Sequence, residues 1–179
     1  MDLIKLSKSS IGEAEKEAVL NILDQEYLGM GDEVKAFEEE LSIFFSRTAV
    51  CVSTGTSALQ LALESIGVGP GDEVLVPTLT YVASFQAISA TGAIPVACDV
   101  MACNALIDLN DARIRLSSKT KAIMPVHYAG NCQNIDEIYM FAKKYDLRVI
   151  EDAAHAFGSC DKGRKIGSFG DIVCFSFDG

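Results

Sequence analysis

An α/β fold built on a mostly parallel sheet is what this 179-residue sequence predicts, and three observations carry that prediction. From Thr48 onward, short apolar runs alternate with amphipathic stretches of helical period. The runs are continuously apolar, as strands buried on both faces are, whereas half-solvated strands alternate. Finally, the length suits one domain, or a domain and part of another, that could bury roughly 70% of its unfolded surface.

The elements follow in order. Ile11, Ala14, Ala18, Leu20 and Ile22 recur near helical spacing, with acidic residues early, where the helix dipole favours them. Leu28-Gly-Met-Gly31 breaks this helix from a second, 32–45, with Asp32 as N-cap and Val34, Phe37, Leu41 and Phe44 as its apolar stripe. The sequence then predicts a strand at 49–52, a helix at 58–66 and, after the turn Gly67-Val-Gly-Pro-Gly71, a strand at 73–76. A helix at 81–90, a strand at 94–98, a helix at 108–116 and a strand at 122–126 come next. A helix at 135–145 and strands at 148–150 and 171–177 complete the pattern. No internal repeat or low-complexity linker interrupts it. The expected division is a helical segment over 1–46 and a sheet domain over 47–179. The chain stops directly after a buried-looking strand, which is where a natural domain rarely ends.

Composition narrows the function. With 25 Asp plus Glu against 15 Lys plus Arg, the formal charge is −10, and no Lys/Arg cluster suits a nucleic acid. No apolar run approaches the ~20 residues of a membrane span, and MDLIKLSKSS lacks a secretory leader's apolar stretch, so a soluble cytoplasmic protein is expected. Six scattered cysteines form no C-x-x-C pair and the two His add no ligand spacing, so neither a metal site nor disulfides are expected. A chain this charged that is also 49% apolar points to a large surface covered by a partner, or to missing polar elements.

In open α/β sheets, ligands bind at the carboxyl ends of strands. Four loops there could carry chemistry. Ser53-Thr-Gly-Thr-Ser57 opens a helix with free N–H groups and hydroxyls, which suits a phosphate; a plain N-cap reads equally well. It is neither a G-x-G-x-x-G nor a P-loop. Pro77-Thr-Leu-Thr-Tyr81 puts an aromatic ring at a helix start, able to stack on a flat ligand or to pack as a partly buried Tyr. In Val149-Ile-Glu-Asp-Ala-Ala-His-Ala156, a strand delivers Glu151 and Asp152 to the sheet edge with His155 three residues on. Such an Asp could keep a ring nitrogen protonated or simply cap the following segment. Ser176, near the end of Gly170-Asp-Ile-Val-Cys-Phe-Ser-Phe177, adds a hydroxyl at the same level.

Together, in this order, these segments resemble the DegT/DnrJ/EryC1/StrS family of pyridoxal-phosphate-dependent sugar aminotransferases. The resemblance is carried by Gly55-Thr-Ser-Ala-Leu59, Gly71-Asp-Glu-Val-Leu-Val-Pro77, Thr80-Tyr-Val-Ala-Ser84 and Gly92-Ala-Ile-Pro-Val96. Thr120-Lys-Ala-Ile-Met-Pro-Val-His127, Glu151-Asp-Ala-Ala-His-Ala156 and Gly170 to Phe177 extend it along nearly the whole chain. It implies the large, pyridoxal phosphate (PLP)-binding domain of an aspartate-aminotransferase-type (fold type I) enzyme, incomplete and without the small C-terminal domain.

The resemblance also implies roles. Gly55, Thr56 and Ser57 would hold the cofactor phosphate, with Ser176 adding a hydrogen bond. Tyr81 would stack on the pyridine ring, Asp152 would pair with its nitrogen, and His155 would lie near its hydroxyl. His127, set further back, reads as structural. The family's Schiff-base Lys would stand five residues after Ser176, two positions beyond Gly179, so no catalytic residue is expected within this chain. The implied reaction moves an amino group from a donor such as glutamate to a nucleotide-linked keto-sugar, in a homodimer. The alternatives are a pyridoxamine-phosphate-dependent sugar dehydratase, with His in place of that Lys, and a non-catalytic truncated paralogue. A nicotinamide-dependent dehydrogenase is disfavoured by the absence of G-x-G-x-x-G at a strand-to-helix turn.

Overall fold

A computed structural model describes residues 9–177; residues 1–8 and 178–179 lie outside them. The described residues form two compact units, one running to Cys51 and the other comprising Val52–Phe177.

The first unit holds α1 (Glu13–Asp24) and α2 (Asp32–Phe45). At the start of α1 the Gly12 N–H donates to Glu15 Oε2 at 2.7 Å. The apolar recurrence expected there buries no side chain: Val19 and Leu20 are each 59% exposed. In α2 the N-cap is Gly31, not Asp32, which is instead the first helical residue. The stripe is also rotated from expectation, with Leu41 and Phe45 buried but Phe37 and Phe44 exposed. The predicted strand at 49–52 does not form. Its donors are taken by α2, since the Ala49 N–H reaches Ser42 Oγ (2.9 Å) and the Cys51 N–H reaches Glu38 Oε1 (2.7 Å). Backbone groups so satisfied have no need of a ladder.

The second unit is the α/β body. Its strands are β1 (Glu73–Pro77), β2 (Ile94–Cys98), β3 (Thr120–Ile123), β4 (Arg148–Asp152) and β7 (Ile172–Cys174). They form one wholly parallel sheet in the order β2-β1-β3-β4-β7. Between β4 and β7 a two-residue antiparallel ribbon, β5 (Cys160–Asp161) with β6 (Arg164–Lys165), was not anticipated. Its turn runs through Lys162 and Gly163, both at positive φ. The last strand is shorter than the predicted 171–177, because only Ile172–Cys174 pair with Ile150–Asp152.

Side-chain alternation assigns the layers. Val74 and Val76 of β1 join Met124 and Ile150 against Leu59 and Leu63 of α3 (Gly55–Ser65) and Ala87 and Ile88 of α4 (Val82–Ala90). Leu75, Ile123 and Val149 face the other way. They meet Ala112 of α5 (Leu109–Arg115) and Ile135, Ile138 and Phe141 of α6 (Ile135–Tyr145). The sheet is thus buried on both faces, as its continuous apolar runs require. At the β2 edge, Ile94 donates its N–H inward to Asp72 O (2.9 Å), so the next residue, Pro95, turns its donorless nitrogen outward.

Two outcomes follow from this packing. Ile123 is wholly buried, and Ile123→Ala should cost about 2–5 kcal/mol in urea unfolding of the polypeptide. Burial, reinforced by nearby carboxylates, pushes the Cys98 thiol up to about 11 and the Cys174 thiol up to about 12. At pH 8 only about one Cys98 thiol in a thousand is ionised. A thiol reagent at that pH should therefore label exposed Cys103 and Cys160 and reach Cys98 and Cys174 only on unfolding. Equal labelling of all four in the folded state would contradict the packing.

Candidate active site

The chain runs outward from β1 to β2 and then crosses back to β3 on the other side of β1. That reversal makes a topological switch point between β1 and β3, and open α/β sheets bind ligands at the carboxyl ends of the strands there. All four loops picked out in the sequence lie at this end of the sheet.

α3 starts at Gly55, three residues before the expected 58, because Thr54 caps it: its Oγ1 accepts from the Ser57 N–H at 3.0 Å. Its hydroxyl also donates to Ser57 Oγ at 3.0 Å, and Ser53 Oγ lies 3.2 Å from the same oxygen. The N–H groups of Gly55 and Thr56 have no acceptor among the described residues and open the first helical turn. Gly55 lies close against Ser176: a Cβ there would lie 3.1 Å from the Cβ and 3.3 Å from the Oγ of Ser176, which would have to give way. The structure therefore brings Gly55 and Ser176, 121 positions apart in sequence, to one point.

Asp152 ends β4, paired across to Cys174 of β7 and bridged to Val126 on the other side. It is 6% exposed. Its Oδ2 accepts from Ser84 Oγ at 2.7 Å and its Oδ1 from the Ala154 N–H at 3.2 Å. Ser84 is wholly buried on α4, and its hydroxyl is also 2.7 Å from Thr80 Oγ1. The Asp152 charge contributes, after burial, to the raised Cys174 thiol. Both donors to the Asp152 carboxylate, the Ser84 hydroxyl and the Ala154 N–H, are neutral, and no ion pair among the described residues includes it.

Tyr81 is the N-cap of α4, with its side chain 74% exposed and unused in capping. One residue before it, Thr80 connects the same turn to Asp152 through Ser84. His155 is exposed; its Nδ1 accepts from the Ala129 N–H at 3.4 Å, and its ring lies 6.0 Å from that of Tyr128. No hydrogen bond joins His155 to Asp152, Tyr81 or Ser176 among those described. His127 is buried and paired at 2.8 Å with Glu151, the structural setting expected for it.

Two contributors were not singled out from the sequence, Thr80 and Ser84. Their four-residue spacing places them on one side of the turn entering α4, and Ser84 is the polar residue on a helix face otherwise buried through Ala83, Ala87 and Ile88. A lone buried hydroxyl on such a face must find a partner, which is the signal that could have exposed it.

The chain matches the DegT/DnrJ/EryC1/StrS aminotransferase family over residues 9–179. It is 42% identical, across its whole length and 50% of the relative's, to the GDP-perosamine synthase of Escherichia coli O157:H7. Identity to the dTDP-3-amino-3,4,6-trideoxy-alpha-D-glucose transaminase of Streptomyces venezuelae is 38%, over 89% of this chain and 42% of that one. Among solved structures, Spr1654 of Streptococcus pneumoniae, known in PLP, PMP and apo forms, superposes with a TM-score of 0.92 at 35% identity. That match covers 97% of this chain and 48% of Spr1654. The chain spans about half the length of the curated relatives it matches. With a parallel α/β body and similarity along its full length, this polypeptide belongs to the DegT/DnrJ/EryC1/StrS aminotransferase family.

Proposed function

We propose that the complete protein is a PLP-dependent aminotransferase, moving an amino group from an amino-acid donor such as glutamate to a nucleotide-linked keto-sugar. It would act in the cytoplasm as a homodimer, in amino-sugar biosynthesis. Residues 47–179 would form most of its cofactor-binding domain and 1–46 a helical segment preceding it. The names of the two curated relatives, a GDP-perosamine synthase and a dTDP-amino-sugar transaminase, support the substrate class.

The observation that carries this reading is the Asp152 carboxylate, buried and met only by neutral donors. A buried anion gains most from an opposite charge delivered to it. A protonated pyridine nitrogen is such a charge, and Asp152 beside it would hold the proton there. The remaining residues fit the rest of PLP. The free N–H groups of Gly55 and Thr56, with the hydroxyls of Ser57 and Ser176, suit a phosphate at a helix N-terminus. The exposed Tyr81 ring is available to cover one face of a flat heterocycle, and His155 would flank the ring hydroxyl. When bound, PLP supplies the electron-withdrawing ring that stabilises a substrate carbanion. The protein's own part is orientation: Ser84 and the Ala154 N–H fix both oxygens of Asp152, and Thr80 fixes Ser84.

The lysine this family uses for its Schiff base would stand two positions after Gly179. We therefore expect residues 1–179 alone to show no transamination, and measured turnover by this polypeptide would refute that expectation. The codon at position 181 bears on the reaction type: Lys fits an aminotransferase, whereas His would fit the dehydratase reading. In the complete protein, Asp152→Asn should lower kcat by about 10²–10³ in an assay of amino-sugar nucleotide formation. Gly55→Val should weaken PLP binding by at least about tenfold, read by absorbance titration, because its side chain would occupy the space against Ser176. Unchanged PLP affinity in Gly55→Val would remove the phosphate assignment.

A further inference from the structure

Glu151 and Asp152, the last two residues of β4, point to opposite faces of the sheet. Asp152 meets Ser84 on the α4 side. Glu151 is entirely buried on the α6 side, where its Oε2 lies 2.8 Å from His127 Nε2 and its Oε1 accepts from the Tyr139 hydroxyl at 2.6 Å. Tyr139 Oη in turn accepts from the Asp171 N–H at 2.7 Å. A Cβ at Gly170, where φ is +95°, would collide with both Tyr139 Oη and Glu151 Oε1, so the glycine gives this cluster its space. Burial, and then the Glu151 charge, push the Tyr139 phenol well above its ordinary value, which keeps it a donor to the carboxylate.

The cluster reaches Asp152 through the backbone. The His127 N–H donates to the Asp152 carbonyl at 3.0 Å, and the Asp152 N–H donates to the Pro125 carbonyl at 2.9 Å. His127 therefore grips the main chain of Asp152 with its amide and the side chain next door with its ring. Moving the end of β4 would break hydrogen bonds to a buried carboxylate, a costly loss in a low-dielectric interior.

We infer that His127, Glu151 and Tyr139 are positioning residues, a buried clamp that sets Asp152 from the face of the sheet opposite the site. Their side chains bond to one another around Glu151, and their link to Asp152 is the His127 N–H on its backbone carbonyl, through which they act. The inference rests on the reading of Asp152 as the partner of a pyridine nitrogen.

The test uses the complete protein loaded with PLP carrying 15N in its ring. The ring-nitrogen resonance reports how far that nitrogen is protonated, which a merely structural role would not move. Glu151→Gln and Tyr139→Phe are compared at pH 8 with the unmodified protein and with Phe141→Leu, a packing change on α6 outside the clamp. The expected result is a ring-nitrogen signal displaced toward the unprotonated base in both clamp variants. PLP binding should weaken by roughly tenfold, the scale on which partners behind a binding group act. Phe141→Leu should leave the signal in place. Where Glu151→Gln does not fold, Tyr139→Phe alone decides, since it removes one hydroxyl. A nitrogen signal and PLP affinity unchanged in folded clamp variants, or displaced equally by Phe141→Leu, would overturn the clamp. Failure of the unmodified protein to bind PLP would instead overturn the functional reading, and the clamp's purpose with it.

Discussion

Two neighbouring carboxylates at the end of one buried strand impose the constraint around which this part of the molecule is organised. Removing a carboxylate from water is expensive unless donors or an opposite charge replace the lost hydration. Glu151 is fully buried and met by a phenol and an imidazole; Asp152 is nearly so and met by a serine hydroxyl and a backbone amide. Because successive strand residues face opposite ways, each carboxylate recruits a different helical layer. Glu151 ties α6 and the Gly170 turn to the sheet, and Asp152 ties α4 to it. The two are chemically alike, but Glu151 is met by two side chains, the Tyr139 phenol and the His127 imidazole, whereas Asp152 is met by one side chain and one backbone N–H.

The parallel sheet makes such an arrangement possible. When every strand runs the same way, every strand-to-helix loop emerges on one edge, and residues distant in sequence converge there. Gly55 and Ser176 meet on this edge, as do Ser84 and Asp152, which are 68 residues apart. The central strands hold apolar runs, Val74–Val76, Ala122–Ile123 and Val149–Ile150, each preceded by a polar residue. Hydrophobic burial positions the frame, and the few buried hydrogen bonds position the chemistry on it.

Much of this was legible from the residues. The apolar run at 94–98 and the amphipathic stretch at 135–145 coincide with β2 and α6, because local pattern and tertiary burial agree there. Glu151-Asp152 after an apolar run placed the carboxylates at the sheet's carboxyl edge, where they are found. The failures share a cause in non-local pairing. The 49–52 run is apolar and β-branched in part, yet two α2 side chains absorb its donors, which spacing cannot show. The α1 stripe has the right period but no burial within the described residues. Ser84 carries no signal of its own in the sequence, since one serine on a helix reveals nothing until the strand facing it is known.

Pro95 has a consequence beyond its place in β2. An open sheet edge is a template on which another extended chain can add itself, and a sheet of five strands has two such edges. At one of them the ring nitrogen of Pro95 faces outward without a hydrogen, so an incoming strand meets a gap where it needs a donor. Ile172–Cys174, at the other, contains no proline. Among the described strands the two edges therefore differ: the β2 side lacks one outward donor by covalent structure, and the β7 side lacks none for that reason.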